Sequence, residues 1–308
     1  MLKLPSRPDL AQLRRQAKDL LRAAKNGDHL AAARIRAVSS ELTLSAAQLA
    51  VAGAYGFTNW AELKAEVERR EILTDRDLDR LAALLAENPG AATAEMRHWC
   101  DHPLGPTPLS YVAMLRYDTG RGVWRDVPGT GAMVRALLRA GAPVDGEPGD
   151  SETPLITAAS YGDAAVAREL IEAGAALDAT ATADAGGVPG GTALRHAAVF
   201  GMTEVVDVLI AAGARVLSIA EAAAAGDVTG WLRGDTPEQD RVRALVMAAD
   251  HQRLDVIDQL LDAGTPIDAV DPWDRQPLRL ASRNGRAASV EHLLARGADP
   301  AFLDAVER

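Results

Sequence analysis

Cysteine is all but absent. Cys100 stands alone in 308 residues, so no disulfide can form within the chain, and a reducing compartment is the expected setting. Aromatic residues make up only 4% of the chain while Ala and Leu abound, which disfavours a sheet and favours helices. No stretch reaches ~18 apolar residues without a charge or a Gly or Pro break, so no membrane-spanning helix is expected. The opening, MLKLPSRPDLAQLRRQ, lacks the apolar run of roughly 7–15 residues that marks a secretory signal. Positive charge is also in deficit. The net charge of −10 argues against a general binder of nucleic acid or anionic membrane. Residues 1–36 hold nine Lys/Arg against three Asp/Glu, so the rest of the chain carries about −16. A cytoplasmic, soluble protein without a cofactor is the expectation, either in one to three domains or as an extended array.

The second half repeats itself. TPLITAASYGDAAVARELIEAGAALD (153–178) aligns nearly column for column with TALRHAAVFGMTEVVDVLIAAGARV (192–216). RALVMAADHQRLDVIDQLLDAGTPID (243–268) and QPLRLASRNGRAASVEHLLARGADP (276–300) fit the same frame. The closing glycines fall at Gly141, Gly174, Gly213, Gly264 and Gly297, with two intervals of 33 residues and a third of 33 plus six. Pro154 and Pro277 suit a helix start, where the missing N–H costs nothing. The pairs Ala158-Ala159, Ala197-Ala198 and Ala248-Ala249 permit close approach of neighbouring first helices. In the second helices Val166 with Leu170, Val205 with Leu209, Val256 with Leu260 and Val290 with Leu294 set one buried stripe. The glycine that follows suits a left-handed cap. One such unit cannot bury its own apolar face and has to stack on its neighbours.

The Thr-Pro-Leu opening, the mid-repeat glycine and the Leu-Leu-x-x-Gly-Ala ending resemble the ankyrin repeat family over roughly residues 73–300. The resemblance implies an all-α fold: an ankyrin-repeat solenoid of about six to seven helix-turn-helix units, occupying 71–308, behind an α-helical cap region at 1–70. The units are a partial one near 73–90, 107–145 with an insertion around 116–131, 153–178, 192–216, a clipped 217–232, 243–268 and 276–300. A flexible finger is expected at 178–191 and a polar linker at 233–240.

In the cap region, residues 8–26 form an amphipathic helix whose Arg14, Arg15, Lys18, Arg22 and Lys25 read as a solvated face. SAAQLAVAGAYGFTNWAELKAEVERR (45–70) invites comparison with a DNA-binding helix pair, with Ser45 and Asn59 as N-caps. Glu62, Glu66 and Glu68 would repel phosphates there. Trp60 and Leu63 are expected to dock this pair against the first repeat. YGFTNWAELK is similar to a segment that precedes ankyrin arrays in some bacterial proteins, which implies capping.

In the ankyrin fold, the resemblance implies, partners dock on the concave side across the helix ends and the finger tips. The helix-end row here is Tyr161, Phe200, Asp250-His251 and Arg283-Asn284, and the finger row holds Asp150, Glu152, Asp240, Trp273 and Arg275. Phe200, beside Gly201, is expected to be displayed, with a fold-back of the 178–191 finger over it as the competing account. Aromatic anchors with flanking acids favour a partner protein or peptide, of basic character. Within the insertion, Tyr117, Asp118, Arg121, Trp124 and Arg125 are candidate contacts of a lid or hook. His98, Cys100 and His102 in HWCDH are weak metal or nucleophile candidates, since no second ligand pair completes a zinc site. GTG at 129–131 lacks the Gly-Lys-Ser/Thr of a phosphate loop. His196 sits one place later than the family's frequent histidine.

The resulting expectation is a non-catalytic interaction scaffold. A second reading is a small-ligand binder or enzyme built around 98–102 and the insertion. A third is a DNA-linked regulator acting through residues 1–70.

Overall fold

The computed structural model describes residues 2, 4–5, 7–96, 107–118 and 122–303, and they fall into two compact units, 1–148 and 149–308. The amino-terminal unit contains helices α1 (Leu10–Lys25), α2 (His29–Arg36), α3 (Leu44–Ala54), α4 (Trp60–Asp75), α5 (Leu78–Glu87), α6 (Pro108–Ala113) and α7 (Thr130–Arg139). Between α6 and α7 lies a small antiparallel hairpin, β1 (Tyr117–Asp118) with β2 (Val123–Trp124).

Side-chain caps start α1 to α6. Asp9, Asp28, Asn59 and Asp77 each accept a hydrogen bond from a backbone N–H of the first turn. Thr43 caps α3, not Ser45, whose hydroxyl instead lies 3.1 Å from that of Thr43. The charged residues of α1 are solvated, while Leu13, Ala17 and Leu20 enter a core with Ile35, Ala47, Val51 and Phe57. Leu63 and Val67 complete that core and Trp60 packs against it. The expectation that Trp60 and Leu63 dock against a repeat is therefore corrected: they hold the amino-terminal helices to one another.

Helix α4 also runs through residue 70 without a break. It packs on α6, as α5 packs on α7, so α4 and α5 together take the place of the leading hairpin. Glu66 is buried and accepts from Arg69 Nη2 at 2.5 Å and Arg70 Nε at 2.8 Å. It is thus not a residue presented outward to phosphates. Arg69 also donates to the carbonyls of Ala94 (2.7 Å) and Glu95 (2.8 Å), pinning the segment after α5.

The second unit contains the hairpins α8 (Pro154–Ser160)/α9 (Ala164–Glu172), α10 (Ala193–Val199)/α11 (Thr203–Ala211), α13 (Glu238–Asp250)/α14 (Leu254–Asp262) and α15 (Pro277–Arg283)/α16 (Ala287–Ala295). Helix α12 (Ile219–Ala225) stands between the second and third pairs. Thr153, Thr192, Ser218 and Gln276 each cap a first helix through the side chain. The paired alanines of α8, α10 and α13 are buried, as are Val166, Leu170, Val205, Leu209, Val256 and Leu260. These are the contacts that stack one hairpin on the next.

The clipped repeat has no second helix. After α12 the chain turns at Gly226 (φ +100°) and tucks Val228 into the core. Polar groups of the following repeats span the gap. Arg253 Nε donates to the Ala224 carbonyl at 2.8 Å and its Nη2 pairs with Asp207 of α11. Arg286 Nη2 reaches the Gly201 carbonyl at 2.6 Å. The stretch 233–240 is only partly a linker, because Glu238, Gln239 and Asp240 form the first turn of α13.

Candidate functional site in the second unit

Unequal connections create a trough. The segments 173–192 and 263–276, which lead into α10 and α15, are long, whereas 212–218, which leads into α12, is short. A cavity of about 890 Å³ lies over the short one, with Val188 of the finger on one side and Trp273 on the other. Ala198, Ile219 and Met247 line it from α10, α12 and α13, and Trp231 from the loop that replaces the missing helix.

The finger beside the trough is tied down. Ala181 N donates to Gly191 O at 2.9 Å, Thr182 N to Ser151 O at 2.9 Å, and Thr180 bridges Thr192. His196, fully buried, donates from Nε2 to Val188 O at 2.9 Å while its Nδ1 faces the Ser160 hydroxyl at 2.8 Å. The offset histidine thus has a structural role after all, and the finger at 178–191 is pinned at several points along its length.

Phe200 is 38% exposed. Its ring stands edge-on to His196, and the finger at Gly187 passes so close that a Cβ there would lie 3.4 Å from Cζ. Both accounts of the residue hold in part: the finger covers one edge and the remainder is displayed. Tyr161 is half-buried, Arg283 and Asn284 are exposed, and Asp150 is half-buried.

Three residues of the two rows are not displayed. His251 is buried, with Nε2 donating to Ala198 O at 2.8 Å and Nδ1 3.0 Å from the Thr203 hydroxyl. Desolvation pushes its pKa down. Asp250 is buried and accepts from Asn284 Nδ2 (2.8 Å) and Arg286 Nε (3.1 Å). Glu152 is buried, and desolvation pushes its carboxyl up to about 7. The register that placed Asp250 and His251 with Phe200 overlooked that the clipped repeat lets the end of α13 reach Ala198 and Thr203.

The trough brings Trp273, Arg275 and Asp240 together with residues that sequence reasoning missed, namely Arg195, Trp231 and Arg243. Trp273 is 60% exposed, and the guanidinium carbons of Arg243 and Arg275 lie 4.8 and 4.7 Å from its ring centroid. Asp271, fully buried, holds Arg275 through two hydrogen bonds of 2.9 and 2.7 Å. Arg195 Nε donates to the buried Glu221 at 2.8 Å. The early start of α13 was the missed signal. Proline 237 followed by two acids in the next three residues is a helix opening, and it carries Arg243 to the trough.

In the first unit the insertion forms the β1–β2 hairpin. Tyr117 and Trp124 are cross-strand partners with ring centroids 5.0 Å apart, and Arg125 pairs with Asp118 at 3.2 Å. Trp124 is exposed. Arg121, and likewise His98, Cys100 and His102, lie outside the described residues. Among the described residues, no helix is long and apolar enough to cross a membrane.

Comparison with known proteins places this geometry. Residues 128–220 match the family described as ankyrin repeats, in three copies. Over 78 residues the chain is 37% identical to the palmitoyltransferase Hip14 of Drosophila melanogaster, a match that covers 25% of this chain and only 12% of that protein. Among solved structures, the human ASB11 ankyrin repeat domain aligns at 21% identity with a TM-score of 0.40, covering 74% of this chain and 83% of that one. The matched segment runs from the start of α7 to the start of α12 and takes in the hairpins that flank the finger. Residues 128–220 are thus ankyrin repeats, and the cap, the paired alanines and the closing glycine recur in the hairpins beyond them.

Proposed function

We propose that the chain is a non-catalytic interaction protein that takes a segment of a partner protein into the trough over its clipped repeat. Ankyrin repeats are in general protein-interaction modules, and the reading agrees with that. The observation that carries it is the exposure of Trp231, Trp273 and Leu217 around one cavity. Large side chains left open to water at one place are the residue types that dominate interface energetics, each worth ~2 kcal/mol or more as a central anchor. Phe200 and the helix-end residues Tyr161, Arg283 and Asn284 extend the surface beyond the trough.

A photo-crosslinking side chain placed at Leu217, which lines the trough, tests this against the same group at the exposed Glu291 of α16. In lysate of the source organism, a discrete protein adduct is expected from position 217 and not from 291. Trp231→Ala with Trp273→Ala should abolish it while leaving the fold intact, since neither ring is buried. Equal labelling from both positions, or none from 217, would refute the reading.

A further inference from the structure

The hydrogen-bonding groups of the trough are unbalanced, and the imbalance specifies a partner. Asp240 apart, the carboxylates that line or underlie it are already used. Glu221 spends one oxygen on Arg195 and the other on the Leu217 N–H at 2.6 Å. Both oxygens of Asp271 beneath Arg275 are occupied, Oδ1 by the N–H groups of Trp273 and Arg275 and Oδ2 by the Arg275 guanidinium. The Thr236 hydroxyl accepts from Arg233 N and donates to Trp231 O. The donors are not used up. Arg195 engages Glu221 through Nε alone, which leaves both Nη groups. Among the described residues, Arg243 donates no hydrogen bond. Its Nε is buried without a partner, and its nearest carboxylate, Asp240, stands 3.6 Å from Nη1.

A guanidinium offers five N–H donors and no acceptor. Held over the Trp273 ring, the Arg243 group is already ordered, so a planar acceptor pays little further entropy on meeting it. We infer that the trough receives a partner segment carrying Asp or Glu beside an apolar or aromatic anchor, with the carboxylates on Arg195 and Arg243 and the anchor against Trp231, Trp273 and Met247. This deepens the reading of the trough as a protein-binding site and rests on it. It reverses the basic partner expected from aromatic anchors with flanking acids, because two of those acids, Asp250 and Glu152, are buried, and Asp150 and Asp240 are half-buried. A protein segment rather than a nucleic acid is favoured by the surroundings: residues 149–308 contain thirteen Arg and no Lys against twenty-five Asp/Glu, which repels a polyanion at a distance while the trough still offers its local donors.

The probe is a pool of short random-sequence peptides displayed on beads, sorted against the purified 308-residue chain. Peptides retained by the wild type should be enriched in Asp and Glu next to Trp, Phe, Leu or Met, and retention should fall with added salt. Arg243→Gln should weaken the selected peptides roughly tenfold or more, with Arg243→Lys intermediate, while the urea midpoint of each variant stays near the wild type. Peptides retained with no acid enrichment, or indifferent to Arg243→Gln, would overturn the acidic assignment while leaving protein binding in place. No retention of any peptide by the wild type would overturn both. Equal or stronger Arg243-dependent binding of a poly-dT oligonucleotide would move the donors from carboxylate to phosphate, and would overturn the peptide assignment alone.

Discussion

His251 donates from Nε2 to the carbonyl of Ala198, 53 residues earlier, at 2.8 Å. A carbonyl can only accept, so the proton sits on Nε2, and Nδ1 is left to accept from the Thr203 hydroxyl at 3.0 Å. His196 repeats the arrangement with Val188 O and the Ser160 hydroxyl. One histidine ties a finger to its helix, and the other closes the stack where a second helix is missing. Both are needed neutral, and burial pushes the pKa of each below the ordinary histidine value.

Acid should therefore loosen the second unit. A depressed histidine pKa contributes stability that is fully present above about 6.5, the unfolded value, and is lost as pH falls from there toward the folded value. In a Glu152→Gln background, which removes the opposing titration of that buried carboxyl, the urea midpoint is expected to drop between pH 7.5 and 5.5. His251→Gln should lower stability at pH 7.5 by roughly 1–3 kcal/mol, through lost hydrogen bonds and an unpaired buried carbonyl. It should also shrink the acid-induced drop. A pH slope unchanged in the variant would remove His251 from this account.

Gly201 and Gly174 separate backbone strain from crowding. Both have positive φ, +69° and +90°, where an alanine is strained by ~1 kcal/mol. A Cβ at Gly174 would meet nothing within 4 Å, whereas at Gly201 it would lie 2.5 Å from Asp250 Oδ2 and 2.9 Å from Arg286 Nη2. Gly174→Ala should cost about 1 kcal/mol. Gly201→Ala should cost at least ~2 kcal/mol more, because it displaces the buried Asp250–Arg286 pair. Thermal melts of the two variants side by side check this, and similar losses would mean that the Asp250 contact yields freely.

The repeats were legible because each one states its own grammar. Thr153-Pro154, Ala158-Ala159, Leu170 and Gly174 specify a cap, a close contact, a stripe and a stop using neighbours in sequence. What was hidden depends on an omission. When 217–232 lost its second helix, Arg253, His251 and Arg286 acquired partners more than one repeat away, a pairing no local pattern encodes. Phe200 and His251 share a register position, yet one is displayed and the other buried, because only the second faces the gap. Arg243 escaped notice since the chain 233–240 reads as linker until it is seen to open α13. Glu66 read as a solvated charge, because nothing in its spacing says that Arg69 and Arg70 turn inward with it.

Glu152 should make the second unit more stable on its acidic side. Burial raises its carboxyl to about 7, above the unfolded value of 4.5. A raised folded pKa contributes stability that is fully present below the unfolded value and is lost as pH rises through the folded one. The window thus runs from about pH 4.5 upward through 7. Glu152→Gln keeps the shape without the titration and should gain on the order of 2 kcal/mol at pH 8 while matching the wild type near pH 4.5. Denaturant midpoints at the two pH values decide it. A variant that tracks the wild type across the range would show that the carboxyl reaches water.

Glu66 offers the severest test of the first unit. It is the shared counter-ion of two guanidinium groups in the interior, and Arg70 is itself completely buried. Removing the carboxylate leaves both cations without that counter-charge in a place water scarcely reaches, a situation that typically costs about 3–5 kcal/mol. Glu62, one turn earlier, is exposed and serves only the helix start: its Oε2 accepts from Thr58 N at 3.1 Å while Asn59 Oδ1 accepts from Glu62 N at 2.9 Å. Glu62→Ala should accordingly cost about 1 kcal/mol, the usual worth of a cap. Urea unfolding of the two variants should show midpoints separated by several-fold in their loss. If Glu66→Ala loses no more than Glu62→Ala, the arginines have found water or another acceptor, and the cluster does not hold α4 in place as the leading hairpin.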